Sequence, residues 1–62
     1  MSKMTVEKMS WYLMPGDWVR IGESVGLVVA TPEKDGGTGE WILNCSDGWI
    51  YLKDIEEVRR KP

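Results

Sequence analysis

The segment Cys45-Ser46-Asp47-Gly48-Trp49-Ile50-Tyr51-Leu52-Lys53-Asp54-Ile55-Glu56-Glu57-Val58 (CSDGWIYLKDIEEV) decides the fold, because a polar turn in it separates two apolar runs and a third begins within a few residues. An Asp-Gly pair adopts positive backbone torsions at little steric cost, so Ser46-Asp47-Gly48 reads as a hairpin turn. The runs on either side, Glu40 to Cys45 and Trp49 to Leu52, read as the third and fourth strands. Lys53-Asp54-Ile55 reads as one tight helical turn. Glu56 to Arg59 reads as a short last strand with Val58 pointing inward. In this reading Ile50, Leu52, Ile55 and Val58 form the seam that closes a small barrel, and the turn sets its register.

Working toward the N-terminus, Pro32 to Gly39 (PEKDGGTG) contains no apolar residue and three glycines. It predicts a mobile, solvent-exposed connection longer than a tight hairpin requires. Val25 to Thr31 (VGLVVAT) is rich in β-branched residues and apolar on both faces, which predicts a central strand buried on both sides for part of its length. Gly26 within it marks a bend or a close backbone approach. Asp17 to Ile21 predicts the first strand, with Val19 and Ile21 on one face and Trp18 and Arg20 on the other.

The chain divides at Met14-Pro15-Gly16-Asp17, where proline holds the preceding residue extended. Residues 1–14 form an N-terminal arm, and residues 15–62 the strand-rich domain. Val6, Met9 and Leu13 fit a helical stripe, whereas Met9, Trp11 and Leu13 fit strand alternation. The expectation is an extended or part-helical arm packed on the domain. Five short strands, a long polar loop in the middle and a helical turn before the last strand make an all-β fold.

This plan resembles the SH3-like barrels. The segment PGDWVRIGESVGLVV, residues 15–29, looks like the opening of barrels of the KOW and Tudor kind, where a Gly-Asp pair precedes the first strand and a glycine opens the second. The run CSDGWIYLKDIEEV is similar to the end of small SH3-like proteins of bacteriophages. The resemblance covers residues 15–58 and implies a small five-stranded SH3-like barrel with an N-terminal arm, of phage origin.

Composition narrows the function classes. A chain of 62 residues has room for one marginal core. With no histidine, the usual general base near neutral pH is missing, along with histidine metal sites. Cys45 is the only cysteine, so no intrachain disulfide forms. It lies in a strand with no evident base or cationic neighbour, and reads as a buried structural thiol. Asp47, Asp54, Glu56 and Glu57 match no calcium-loop spacing, and Gly36-Gly37-Thr38-Gly39 lacks the lysine and helix of a phosphate-binding loop. The expectation is a protein without catalysis, metal or cofactor. The net charge of −2 argues against binding driven by neutralisation of a nucleic-acid backbone, and the Arg59-Arg60-Lys61 cluster reads as a solubilising end. The first fourteen residues lack the apolar run of a signal peptide or membrane anchor, so the expected location is the cytoplasm, the host's if the protein is viral, or a virion.

The four tryptophans are the one compositional excess, in a chain without phenylalanine. One reading buries them for their large area, with the indole nitrogen on a backbone acceptor. The other places some on the surface as interface anchors. If Val19, Ile21, Ile50 and Leu52 face the core, Trp18, Trp49 and Tyr51 point outward and form an aromatic patch, unless Trp11 and Tyr12 of the arm cover it. The candidate partner-binding residues are therefore Trp18, Trp49, Tyr51 and Trp11. The expected function is a protein-interaction module, serving as a virion or assembly component or as a host-directed inhibitor. An arm-mediated homo-oligomer is a further possibility. Nucleic-acid binding of the KOW type is the alternative, with aromatic stacking and the basic tail supplying the contacts.

Overall fold

The structure, a computed structural model, describes residues 4–60. The chain runs helix α1 (Val6–Tyr12), strands β1 (Trp18–Ile21), β2 (Ser24–Leu27), β3 (Glu33–Lys34), β4 (Trp41–Cys45) and β5 (Gly48–Tyr51), a 3-10 turn (Leu52–Asp54), and β6 (Glu57–Arg59). Among the described residues the fold is mostly strand with one short helix. The expected strands all appear, within a residue or two except β2, which ends at Leu27.

The strands form two antiparallel sheets of three, ordered β2-β1-β6 and β3-β4-β5. The expected five-stranded closed barrel is not what forms. No ladder joins β5 to β6 among the described residues, because the chain between them is taken up by the 3-10 turn. The sheets meet instead along the segment that follows β2. Val28 bridges Cys45, Val29 N donates to Asn44 O at 2.9 Å, and Ser46 N donates to Leu27 O at 2.9 Å. Residues 24–34 thus pair first with β1 and then, further along, with β4.

That geometry corrects two expectations. Val25 and Val29 are half exposed, so the strand is not buried on both faces; each of its sides meets a sheet for only part of its length. The segment from Pro32 to Gly39 is a hydrogen-bonded hairpin that includes β3, paired to Trp41 and Ile42 of β4. Asp35 organises its tip. Its Oδ1 accepts from Gly37 N at 3.1 Å and its Oδ2 from the Thr38 hydroxyl at 3.0 Å, while Asp35 O accepts from Gly39 N at 2.7 Å. An aspartate that satisfies backbone donors two residues on shapes a turn without apolar help.

The β4–β5 hairpin matches the sequence reading. Cys45 pairs with Gly48 across the two-residue turn Ser46-Asp47, and Gly48 has φ +122°, which a residue with a Cβ adopts only under strain. Gly26 answers the expectation of close approach, since a Cβ built there would lie 3.4 Å from Cys45 Cβ.

The core consists of Met9, Leu13, Val19, Val28, Leu43, Cys45, Leu52 and Ile55, with Ile21, Trp41, Ile50 and Val58 packed against it. Burying one such aliphatic side chain contributes roughly 1.5–3 kcal/mol. Two of the eight come from the arm, which is helical, not extended. Thr5 caps α1 by accepting from Lys8 N at 3.1 Å, and the stripe of Val6, Met9 and Leu13 turns inward over the 3-10 turn. The arm is therefore a wall of the core.

Candidate exposed-aromatic interface

Strand register decides which side chains face water. In the first sheet Trp18 lies between Leu27 and Arg59, and Arg20 between Val25 and Glu57. These six share the outer face, while Val19, Ile21 and Val58 turn to the core. In the second sheet Trp49 lies opposite Asn44 and Tyr51 opposite Ile42 on the outer face, while Ile50 and Leu43 turn inward.

The four candidate residues are all exposed, Trp11 at 69%, Trp49 at 58%, Tyr51 at 38% and Trp18 at 36%. The structure brings only Trp49 and Tyr51 together, two residues apart on one strand face. Trp18 lies on the other sheet. Trp11 sits on α1, where its ring meets Tyr12 edge-on at 6.3 Å. The expected patch of Trp18, Trp49 and Tyr51 is therefore two surfaces, because the two sheets turn their outer faces away from a shared core. The arm covers neither with Trp11. Trp41 packs against the core, with Lys34 Nζ 5.7 Å from its ring centre.

Charge surrounds Trp18. Arg20 donates from Nε to Glu57 Oε1 and from Nη1 to Glu56 Oε1, both at 3.1 Å, and from Nη1 to Gly22 O at 2.6 Å. Arg59 Nε donates to Glu57 Oε2 at 2.8 Å. Hydrogen bonds from Arg59 first, and then from Arg20, hold the Glu57 carboxyl below its ordinary range. A shallow hollow of about 180 Å³ lies between Trp18, Val25 and these charged side chains.

A second polar constellation was not expected from the sequence. Asp17 is 3% exposed, and its two carboxylate oxygens accept from Arg60 Nε and Nη2, each at 3.0 Å. Asp17 Oδ2 also accepts from Met14 N at 3.1 Å, and Arg60 Nη2 donates to Tyr12 O at 2.6 Å. The guanidinium carbon lies 4.0 Å from the centre of the Tyr12 ring. The two parallel bonds and the stacking use the planar fork that distinguishes arginine from lysine. The bonds from Arg60 outweigh the opposing effect of burial and lower the Asp17 pKa.

Arg60 is therefore no solubilising appendage. It ties the C-terminal segment to the start of β1 and the end of α1. Arg59 is likewise paired, and Lys61 lies outside the described residues. The only sequence signal for the clasp was Asp17 in the Gly-Asp pair before β1. Its partner stands 43 positions away.

Cys45 is buried beside Gly26, and burial pushes its thiol pKa up, with Asp47 adding to the effect. A thiol so placed is a poor nucleophile. Among the described residues no group of three or more acidic or cysteine side chains stands together as a metal site, and no helix is long and apolar enough to cross a membrane.

Comparison with models of known families, with characterised proteins and with solved structures finds no match to this chain.

Proposed function

We propose that the protein is a non-enzymatic interaction module of SH3-like design that binds another protein through the outer face of β5. The exposure of Trp49 beside Tyr51 carries the reading. Large aromatic side chains held on a sheet lose little conformational freedom on binding and contribute much of the energy of protein interfaces. The SH3-like design is supported by the strand order, in which one segment pairs with both sheets, and by the 3-10 turn before the last strand. The resemblance of residues 15–58 to phage proteins suggests two settings for the interaction, a virion or assembly component and an inhibitor directed at a host protein.

The KOW-type alternative has less support. Arg59 and Arg60 are held by Glu57 and Asp17, so the charge assigned to a nucleic-acid contact is already engaged within the chain. The test is capture from a bacterial lysate by the immobilised chain and by its Trp49→Ala, Tyr51→Ala variant. The expected result is a protein retained by the first and lost by the second, at both low and high salt. Retention by both variants overturns the assignment to β5. Retention of nucleic acid that fades steeply with salt favours the alternative.

A further inference from the structure

Four strands end the two sheets, and three of them are guarded against further pairing. β6 carries Glu57 and Arg59, and β3 is only the two charged residues Glu33 and Lys34. On β2 the outward backbone groups of Leu27 are both taken by Ser46, whose N donates to Leu27 O at 2.9 Å and whose Oγ accepts from Leu27 N at 3.2 Å, which leaves Val25 as the one residue of that edge with outward groups open. Charged side chains, short strands and occupied backbone groups are the ordinary protections of a sheet edge.

β5, Gly48-Trp49-Ile50-Tyr51, has none of these. Cys45 and Gly48 flank a two-residue turn and form a hydrogen-bonded pair, so the alternation of an antiparallel ladder makes Leu43 and Ile50 the next bonded pair. The backbone groups of Trp49 and Tyr51 then point away from β4. Those of Asn44, opposite Trp49, point away from β5, as its bond from Val29 N requires. Tyr51 caps the 3-10 turn, so one lone pair of its carbonyl takes the first bond of that turn and the second stays open. No other segment among the described residues supplies a hydrogen-bond partner to Trp49 or to Tyr51 N–H on that side.

We propose that β5 is a dimerisation edge, at which two copies of the chain pair antiparallel about a two-fold axis at Ile50, with Trp49 of each opposite Tyr51 of the other. The inference rests on the reading of Trp49 and Tyr51 as a protein-binding surface and names a second copy as the partner. In this register Trp49 N–H of one copy donates to Tyr51 O of the second, Tyr51 N–H of the second donates to Trp49 O of the first, and symmetry repeats both bonds. Each Trp49 ring lies across from a Tyr51 ring, a favourable cross-strand pair.

Charge at one pair of positions favours this direction. Asp47 precedes β5 and Lys53 follows it, so antiparallel pairing sets Asp47 of one copy near Lys53 of the other, a lysine already flanked by Asp54 and paired with Glu40, whereas parallel pairing sets Asp47 beside Asp47 and Lys53 beside Lys53. Lys53 keeps its ion pair with Glu40 at 3.7 Å and its place 5.3 Å from the centre of the Tyr51 ring while facing the incoming Asp47. The interface is self-complementary, as a two-fold contact requires.

Sedimentation of the full chain from micromolar to millimolar concentration is expected to show a monomer passing to a dimer. Trp49→Lys with Tyr51→Lys is expected to raise the dissociation constant by about tenfold or more. Amide exchange at the two ends of that range identifies the edge in the unaltered chain. Trp49 and Tyr51 become protected as concentration rises, while Ile50, bonded within the chain, is protected throughout. A chain that stays monomeric at millimolar concentration overturns the dimer, and so does new protection confined to α1 or β6. Capture of a different protein that depends on Trp49 and Tyr51 then leaves the function reading standing. Loss of both results removes it as well.

Discussion

The molecule uses arginine–carboxylate pairing twice, in different surroundings. At the clasp, Asp17 is almost wholly enclosed, and Arg60 reaches it with two parallel bonds while lying against Tyr12. On the outer face of the first sheet, Arg20, Glu57 and Arg59 meet at similar distances, but every member is at least 38% exposed. Water and salt screen the second group and leave its geometry loosely held, so it contributes little to stability. The clasp is different because its carboxylate has given up hydration and has only Arg60 and Met14 N in exchange. Equal distances therefore do not imply equal consequences.

The clasp also holds an element that matters to the core. α1 contributes Met9 and Leu13, so Met9→Ala is expected to destabilise the fold by about 3 kcal/mol, the largest effect here, read by chemical denaturation. A loss within a few tenths of a kcal/mol of zero would show the arm to be dispensable and the clasp to hold nothing of consequence.

Asp17→Ala comes next. It removes three hydrogen bonds and is expected to cost about 2 kcal/mol. Arg60→Ala moves stability the same way by leaving the enclosed carboxylate without its cation, and Arg60→Lys does not restore it, because an ammonium cannot supply the two parallel bonds.

Acid sharpens the contrast further. The folded pKa of Asp17 is lowered, chiefly by the Arg60 hydrogen bonds. Its contribution to stability is therefore complete above the ordinary aspartate pKa and is lost as pH falls through the depressed value. Unfolding curves measured down the acid range should show that loss in the unaltered chain and a smaller one in Asp17→Asn. Glu57 is also lowered, by Arg59 and then Arg20, but its exposure reduces what that shift contributes.

The smallest effect belongs to the exposed network. Glu57→Gln should leave the denaturation midpoint unchanged within measurement error, at low and at high salt. A Glu57→Gln loss as large as that of Asp17→Ala would erase the distinction between the two sites.

What was legible in the sequence follows the range of the interactions. The Ser46-Asp47-Gly48 turn, the strands beside it and the shared phase of Trp49 and Tyr51, opposite to that of Ile50 and Leu52, depend on neighbouring residues and on a period of two, which are local properties. The outward phase of Trp18 was legible for the same reason. Its separation from Trp49 was not, because alternation states which face a residue occupies and not which sheet the strand joins. The Pro32 to Gly39 hairpin was missed because β3 is charged and is held by pairing to β4, with no apolar signal of its own.

By itself, then, the sequence determined one small β-rich unit, its turns, the alternation of its strands and the need to bury nearly every large aliphatic side chain. Tertiary structure alone decided that the arm is a helix packed as a wall of the core, that two sheets share one bent segment without closing, and that Arg60 is a clasp. Each of these depends on groups far apart in the chain, and the free energy that selects them exists only once the chain has brought them together.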